Sequence, residues 1–332
     1  MAKFKSANPF LKANNDTGFG NNPNSYGGRF INKDGTFNLK REGISIFDKF
    51  SVYQRMLNLS TFNFGGLILI YYFTLNALFT MAYLLVGTNQ LQGIVNTTLW
   101  GKLKETFFFS TQTFVTVGYG RINPIGDMAS VLSSLESLTG YISFAVITGL
   151  IYGRFSRPKT FLAFSDYALV APYKDKTALM FRFANYKDNH ILTNVEIKAN
   201  LAMTLEENGK PVFKYYDLAL ERHKVDNLPM NWTVVHAIDE NSPLYGYNEK
   251  DFENADVELY ILITGFDEIF SSPVLRRTSY TYKEVKFNVK FVPMYRESDD
   301  GKITILELHK LNTLVEVKDA DRSVVANASI GQ

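Results

Sequence analysis

The chain has 332 residues, with 35 basic and 33 acidic side chains, a net charge of +2 and a mean hydropathy of −0.09. That near-even balance argues against a general nucleic-acid binder, which needs a strongly basic face. With no cysteine there is no disulfide scaffold, cysteine-ligated metal site or thiol nucleophile, and the four histidines (190, 223, 236 and 309) show no metal-ligand spacing.

The averages hide an uneven distribution of charge. Residues 1–43 are rich in Asn and Gly and poor in aliphatic side chains. They cannot bury enough apolar surface and are predicted to be disordered. Residues 44–60 mix Ile44, Phe47, Phe50, Val52 and Met56 with Asp48, Lys49 and Arg55. The pattern predicts an amphipathic helix lying on a membrane face, the alternative being a plain linker before a membrane span.

From Met56 to Gly101 there is no charged residue. Within this stretch Phe64 to Val86 is almost wholly apolar. As a helix it reaches about 35 Å, enough to cross a hydrocarbon core of about 30 Å. Met128 to Gly153 is a second apolar segment, with Glu136 as its one charge and Ser or Gly at eight positions. Small residues let membrane helices approach closely. A carboxylate inside a span belongs against protein or water; the alternative places Glu136 near the headgroups. Between the spans, Thr106 to Gly120 is apolar but too short to cross as a helix. It must return to the side it entered from, held by protein or lining water. Neither span has the position or flanks of a cleaved signal sequence. Lys40, Arg41, Lys49 and Arg55 precede the first span, and Arg154, Arg157, Lys159 and Lys174 follow the second. The connection 88–127 carries only Lys102, Lys104 and Arg121 as basic residues. This bias puts both termini in the cytoplasm.

Residues 156–325 have another texture. Short alternating runs such as ALMFRFANY, VEIKANLAMTL and VELYILITGF are separated by turn-forming stretches. They predict an all-β sandwich, followed by a tail at 326–332. The expected organisation is a disordered segment (1–43), an interfacial helix (44–60), a two-span membrane domain (61–155) and a cytoplasmic β domain (156–325).

The segment with chemistry is Thr116-Val117-Gly118-Tyr119-Gly120. Repeated around an axis, such a loop can aim backbone carbonyls at a cation in place of its hydration shell, which is how K⁺ is selected. Glycine reaches positive φ without a Cβ penalty and lets successive carbonyls point one way. The preceding Glu105 to Phe114 reads as a short helix whose C-terminal end faces the cation. No nucleophile elbow, phosphate loop or His–carboxylate constellation marks an enzyme.

Here the sequence resembles a known family. Span, short helix, TVGYG and span are similar to the two-span potassium-channel pore. LNALFTMAYL, FFFSTQT, VGYGRINPIG and LIYGRFSRP resemble the inward rectifiers, and within them the prokaryotic KirBac branch. So do WTVVHAIDENSPLYG (232–246), Arg277-Thr278-Ser279-Tyr280 with Glu284-Val285, and Asn185 to His190.

The resemblance implies a two-span channel pore with a re-entrant helix and filter, joined to a cytoplasmic all-β immunoglobulin-like sandwich, in a homotetramer of a bacterial inner membrane. K⁺ is the permeant ion, at Thr116, Val117, Gly118 and Tyr119; no cofactor and no nucleic-acid partner is expected. Glu136 is expected to brace the filter. Gln112 stands where animal relatives carry a supporting glutamate. Gly140 matches a hinge, with close packing as the alternative. Phe144 and Tyr152 match a pore constriction, with helix packing as the alternative. Phe144 also stands where strong animal rectifiers carry an acidic residue, so block at this level is expected to be weak. Lys49, Arg55, Arg154, Arg157 and Lys159 are candidates for anionic lipid headgroups, each of which topology alone also explains. Arg121 follows the filter and is expected to place positive charge at the outer mouth, lowering local K⁺. Without the extracellular disulfide of animal relatives, residues 88–104 are expected to be held by packing alone. The alternative to a channel is a membrane-anchored, lipid-sensing β module with little conduction.

Overall fold

The structure is a computed structural model. It describes residue 13 and residues 29–43, 45, 51–188, 190–207 and 210–317. These fall into two units, one within Glu42–Arg157 and one made of Pro158 onward together with the chain up to Arg41.

The first unit is helical. Helix α1 (Val52–Asn58) starts at Ser51, whose hydroxyl accepts the Gln54 N–H. Helix α2 (Thr61–Val86) is capped the same way by Ser60 and closes at Gly87, which takes φ 108° and donates to the Tyr83 carbonyl. Helix α4 (Asp127–Phe155) carries Asp127 in its first turn and Arg154 in its last, each complementing the helix dipole. Both α2 and α4 are long and apolar enough to cross a membrane. Between them lie β1 (Leu91–Gln92), α3 (Leu99–Phe114) and β2 (Asn123–Pro124). At 16 residues α3 is about 24 Å long, too short to span a bilayer.

The second unit is β-rich. Strands β3 (Leu162–Phe164), β4 (Ala168–Tyr173), β5 (Lys176–Asn185), β6 (Leu192–Glu207), β7 (Lys210–Asp217), β8 (Lys224–Leu228) and β9 (Asn231–Ile238) precede α5 (Glu249–Asn254). Strands β10 (Glu258–Asp267), β11 (Ser272–Thr281) and β12 (Val285–Phe287) follow it. One sheet has the order β11-β10-β6-β7, with β8 also on β6. The other has the order β12-β4-β5-β3, with β9 also on β5. Strands β12 and β4 run parallel, and the other pairs described within these two sheets are antiparallel. Phe181 and Phe183 of one sheet and Ile197 and Leu201 of the other belong to one buried core, as period-2 alternation requires. Helix α5 carries a capping box between Asn248 and Asp251.

The N-terminal expectation needs correction. Most of residues 1–28 lie outside the described residues, as do Lys49 and the tail. Residues 30–38, however, form a tight turn closed by an Ile31–Phe37 bridge. Ile31 is 2 % exposed, in a cluster with Ala202, Tyr215 and Tyr260. Gly35 turns the chain at φ 88°, and a Cβ there would stand 2.6 Å from the Arg277 carbonyl oxygen. Arg29 pairs with Glu284, Arg29 Nε donates to Ser279 Oγ (2.9 Å), and Thr278 Oγ1 donates to the Lys33 carbonyl (3.0 Å). Local composition predicts disorder because these anchors are about 170 or more residues away in sequence. Ile31→Ala is expected to cost about 2 kcal/mol or more through the cavity it leaves. Denaturant unfolding of the full chain, followed by the fluorescence of Trp232, checks this; an unchanged midpoint would mean that the segment is not docked.

Candidate functional site

Helix α3 begins at Thr98, whose hydroxyl accepts the Gly101 N–H (3.1 Å), and runs to Phe114. Its last carbonyls are taken by the residues that follow. Thr116 N–H donates to the Thr113 carbonyl (3.0 Å), and Val117 N–H to the Gln112 carbonyl (2.9 Å). The Gln112 backbone thus anchors the next segment. Positive φ then occurs at Thr116 (56°), Gly118 (53°) and Gly120 (79°), and not at Val117 or Tyr119. Alternation of hand between neighbours turns successive peptide carbonyls to one side. Two of these positions are glycine, as their conformation asks. Thr116 is β-branched, so its left-handed backbone stores roughly 1–3 kcal/mol of strain. The sequence offered no sign of that, since positive φ is read from glycine. All residues from Val115 to Arg121 are exposed. Among the described residues, no donor bonds the carbonyls of Thr116 to Tyr119.

Between α2, α3 and α4 sits a buried polar cluster. Glu136 on α4 is fully buried. Tyr83 Oη of α2 donates to its Oε2 (2.7 Å), and Ser110 Oγ of α3 donates to its Oε1. Ser110 Oγ also lies 3.2 Å from the Asn76 carbonyl oxygen, and Thr80 Oγ1 donates to that same carbonyl (2.6 Å). One carboxylate therefore ties three helices together. The Tyr83 ring meets Phe109 edge-on at 5.1 Å, and Tyr72 meets Phe114 at 5.8 Å.

Gly140 faces the end of α3. A Cβ built there would stand 1.8 Å from the Phe114 carbonyl oxygen. This is close packing of one helix on the last turn of another. Phe144 and Tyr152 are 71 % and 73 % exposed on α4, uncovered by this chain.

Of the five basic candidates, Arg154 and Arg157 lie at the end of α4 and meet α1. Arg154 Nη1 donates to the Met56 (2.9 Å) and Leu57 (3.2 Å) carbonyls, and its guanidinium lies 4.5 Å from the Phe64 ring centroid. It caps α1 and fastens it to α4. Arg157 Nη1 donates to Asn58 Oδ1 (2.8 Å). Arg55 sits in the last turn of α1. Lys159 belongs to the other unit, and Lys49 lies outside the described residues.

The segment 88–104 is held by hydrogen bonds as well as packing, which corrects the expectation from the missing disulfide. Strands β1 and β2 pair Leu91 with Pro124 and Gln92 with Asn123. Ile125 N–H donates to the Gln90 carbonyl (2.8 Å), and Gln90 Oε1 accepts the Ala129 N–H (3.2 Å). Arg121 is not a bare cation either, because it is paired with Glu105 (2.7 Å).

In the β-rich unit the resembling motifs serve the fold. His236 is buried, with Nδ1 2.8 Å from the Ala219 carbonyl oxygen and Nε2 2.8 Å from Ser242 Oγ. Burial holds its pKa below the usual histidine range. Tyr280 Oη donates to the Ser165 carbonyl (2.9 Å). Among the described residues no group of three or more His, Cys, Asp or Glu is placed to hold a metal.

Comparison with known proteins agrees with this layout. The profile of the inward rectifier potassium channel C-terminal domain matches residues 162–330. The chain is 32 % identical over 295 residues to inward rectifier potassium channel Kirbac3.1 of Paramagnetospirillum magnetotacticum, covering 87 % of this chain and 96 % of that protein. The chain belongs to the inward rectifier potassium channel family. It is of the prokaryotic KirBac type. Inward rectifier potassium channel 4 of Mesocricetus auratus and of Homo sapiens are each 29 % identical over 218 residues. Those matches cover 61 % of this chain and 48 % of either mammalian protein. These relatives are named as channels, and two apolar helices with a β-rich C-terminal domain fit that family.

The Gly140 contact gives a direct test. Gly140→Ala forces a methyl against a backbone carbonyl that cannot turn aside, at a cost of about 1–3 kcal/mol. The expected outcome is a lower melting temperature of the detergent-solubilised protein, with Gly149→Ala, where a Cβ meets nothing within 4 Å, unchanged. Equal effects at both positions would contradict the packing role.

Proposed function

We propose that the chain forms a homotetrameric, K⁺-selective channel in a bacterial inner membrane, passing ions passively, with Thr116 to Gly120 as its filter. The observation that carries the reading is the alternating backbone hand through 116–120, at the end of a helix too short to cross. Four copies around an axis would present the carbonyls of Thr116, Val117, Gly118 and Tyr119 to K⁺ in place of water. The C-terminal end of α3 adds a partial negative charge below them. Both spans then cross the membrane (61–155), α3 is the re-entrant helix, and both termini lie in the cytoplasm with the β domain (156–325).

Supporting roles follow from placement. Glu136, through Ser110 and Tyr83, fixes the back of the filter segment, and the Gln112 carbonyl fixes its start. Gly140 seats α4 on the end of α3, and a bend of α4 at this glycine is the family-derived alternative. Phe144 and Tyr152 project from one helix and would meet their symmetry mates as apolar rings, which close a pore by dewetting. Gating by the cytoplasmic domain and by anionic lipid is part of the proposal. Its lipid candidates are Lys49, Arg55, Arg154, Arg157 and Lys159, of which Arg154 and Arg157 also meet α1. The alternative, a lipid-sensing module with little conduction, keeps the size of the β domain as its support, while Arg121 is paired with Glu105.

Gly118→Asp and Tyr119→Ala are expected to abolish barium-sensitive K⁺ uptake into proteoliposomes, or to let Na⁺ through equally, while the assembled protein elutes unchanged on size exclusion. Wild-type K⁺-selective flux that both variants retain would remove the filter assignment. Wild-type vesicles that bind anionic lipid but pass no ions would favour the anchored module.

A further inference from the structure

Glu105 is a carboxylate that the pore chemistry above does not use. It lies at the seventh position of α3, and its side chain is 7 % exposed. Four donors converge on it. Val95 N–H (3.0 Å) and Asn96 N–H (3.3 Å) reach Oε2. Asn96 Nδ2 (3.0 Å) and Arg121 Nη2 (2.7 Å) reach Oε1. Its ionised form is therefore well satisfied, the Asn96 N–H first among the groups that hold its pKa below the usual glutamate range. The guanidinium it binds belongs to the residue directly after Gly120, whose side chain is 66 % exposed.

We infer that Glu105 is a positioning residue for ion passage: it holds the Arg121 guanidinium against the 95–96 loop and cancels its charge at the outer mouth. The inference rests on the filter reading above. Unpaired, four Arg121 side chains would set a ring of positive charge where K⁺ enters or leaves, and would deplete K⁺ there. Paired, each subunit presents a dipole whose negative end is anchored in protein. The same contact ties the filter exit to the 95–96 loop, to which Gly93 adds a second tie. Gly93 packs on the Arg121 carbonyl so closely that a Cβ would stand 2.0 Å from its oxygen.

A charge-positioning role and a purely structural one differ in what they leave behind. Charge acts through a potential, so its effect on a divalent cation is the square of its effect on a monovalent one. It also fades as salt shortens the Debye length from about 30 Å at 0.01 M to about 3 Å at 1 M. The test is K⁺ flux, and its block by external Ba²⁺, in liposomes holding the full chain, at low and at high salt. Glu105→Gln keeps the shape but leaves one oxygen for four donors and frees Arg121. It is expected to lower K⁺ flux several-fold at low salt, to weaken Ba²⁺ block by the square of that factor, and to approach wild type at high salt. Glu105→Gln combined with Arg121→Gln is expected to restore both. Should Glu105→Gln fail to assemble, Glu105→Asp keeps the charge but withdraws it by one methylene, and is expected to show a smaller loss with the same salt dependence. The inference is overturned if the loss is independent of salt, if K⁺ and Ba²⁺ change by the same factor, if removing Arg121 restores nothing, or if neither variant differs from wild type. Failure of the filter reading is a different result: wild-type vesicles would then show no K⁺ selectivity at any salt.

Discussion

A peptide group cannot stay unpaired in hydrocarbon, and this constraint governs the whole helical unit. Among the described residues the carbonyls of Thr116 to Tyr119 have no donor, yet they lie in the chain between two helices long and apolar enough to cross a membrane. In lipid each such group would cost several kcal/mol. The segment therefore needs an environment made of protein, water or ions. The surrounding structure is arranged to hold its two ends. At one end α3 stops at Phe114 and its carbonyls take the following N–H groups. At the other, the β1–β2 pairing and the Glu105–Arg121 contact fix the way out.

Holding such a segment takes polar chemistry inside an apolar layer, and the chain solves this by sharing one acceptor among three helices. Glu136 receives a hydroxyl from α2 and another from α3 while it sits on α4. Removal of one donor would leave a buried acceptor unsatisfied, at about 1–3 kcal/mol. The same arrangement explains Gly140, because any side chain there would push α4 away from α3 and stretch these bonds. In the proposed filter, loss of either contact would loosen the backbone that holds Thr116. Such a conformation persists only where its surroundings over-determine it.

Sequence and structure agree where the signal is local. The charge-free stretch, the small-residue second span, the too-short third segment and the period-2 strands are written in consecutive residues. What escaped is non-local or conformational. Residues 30–38 read as disordered because Ile31 finds its partners on strands about 170 or more residues later. For Arg154 the sequence offers a lipid headgroup or topology alone; its carbonyl partners on α1 are not visible in composition. Glu105 and Arg121 are 16 residues apart, across a turn whose geometry only the fold supplies. The positive φ at Thr116 runs against residue preference. One miss was legible: Asn248 followed by Asp251 is a capping signature, and a helix of 6 residues does begin there.

The central claim is that the open carbonyls of Thr116 to Tyr119 face a shared axis formed by four copies. Structure determination of the purified full chain, embedded in lipid and compared in K⁺ and in Na⁺, tests it most directly. The account predicts a fourfold particle with ion density on the axis, level with those carbonyls, in K⁺, and loss or rearrangement of that density in Na⁺. A particle without fourfold symmetry, or one in which the carbonyls of Thr116 to Tyr119 point away from the axis, would contradict it.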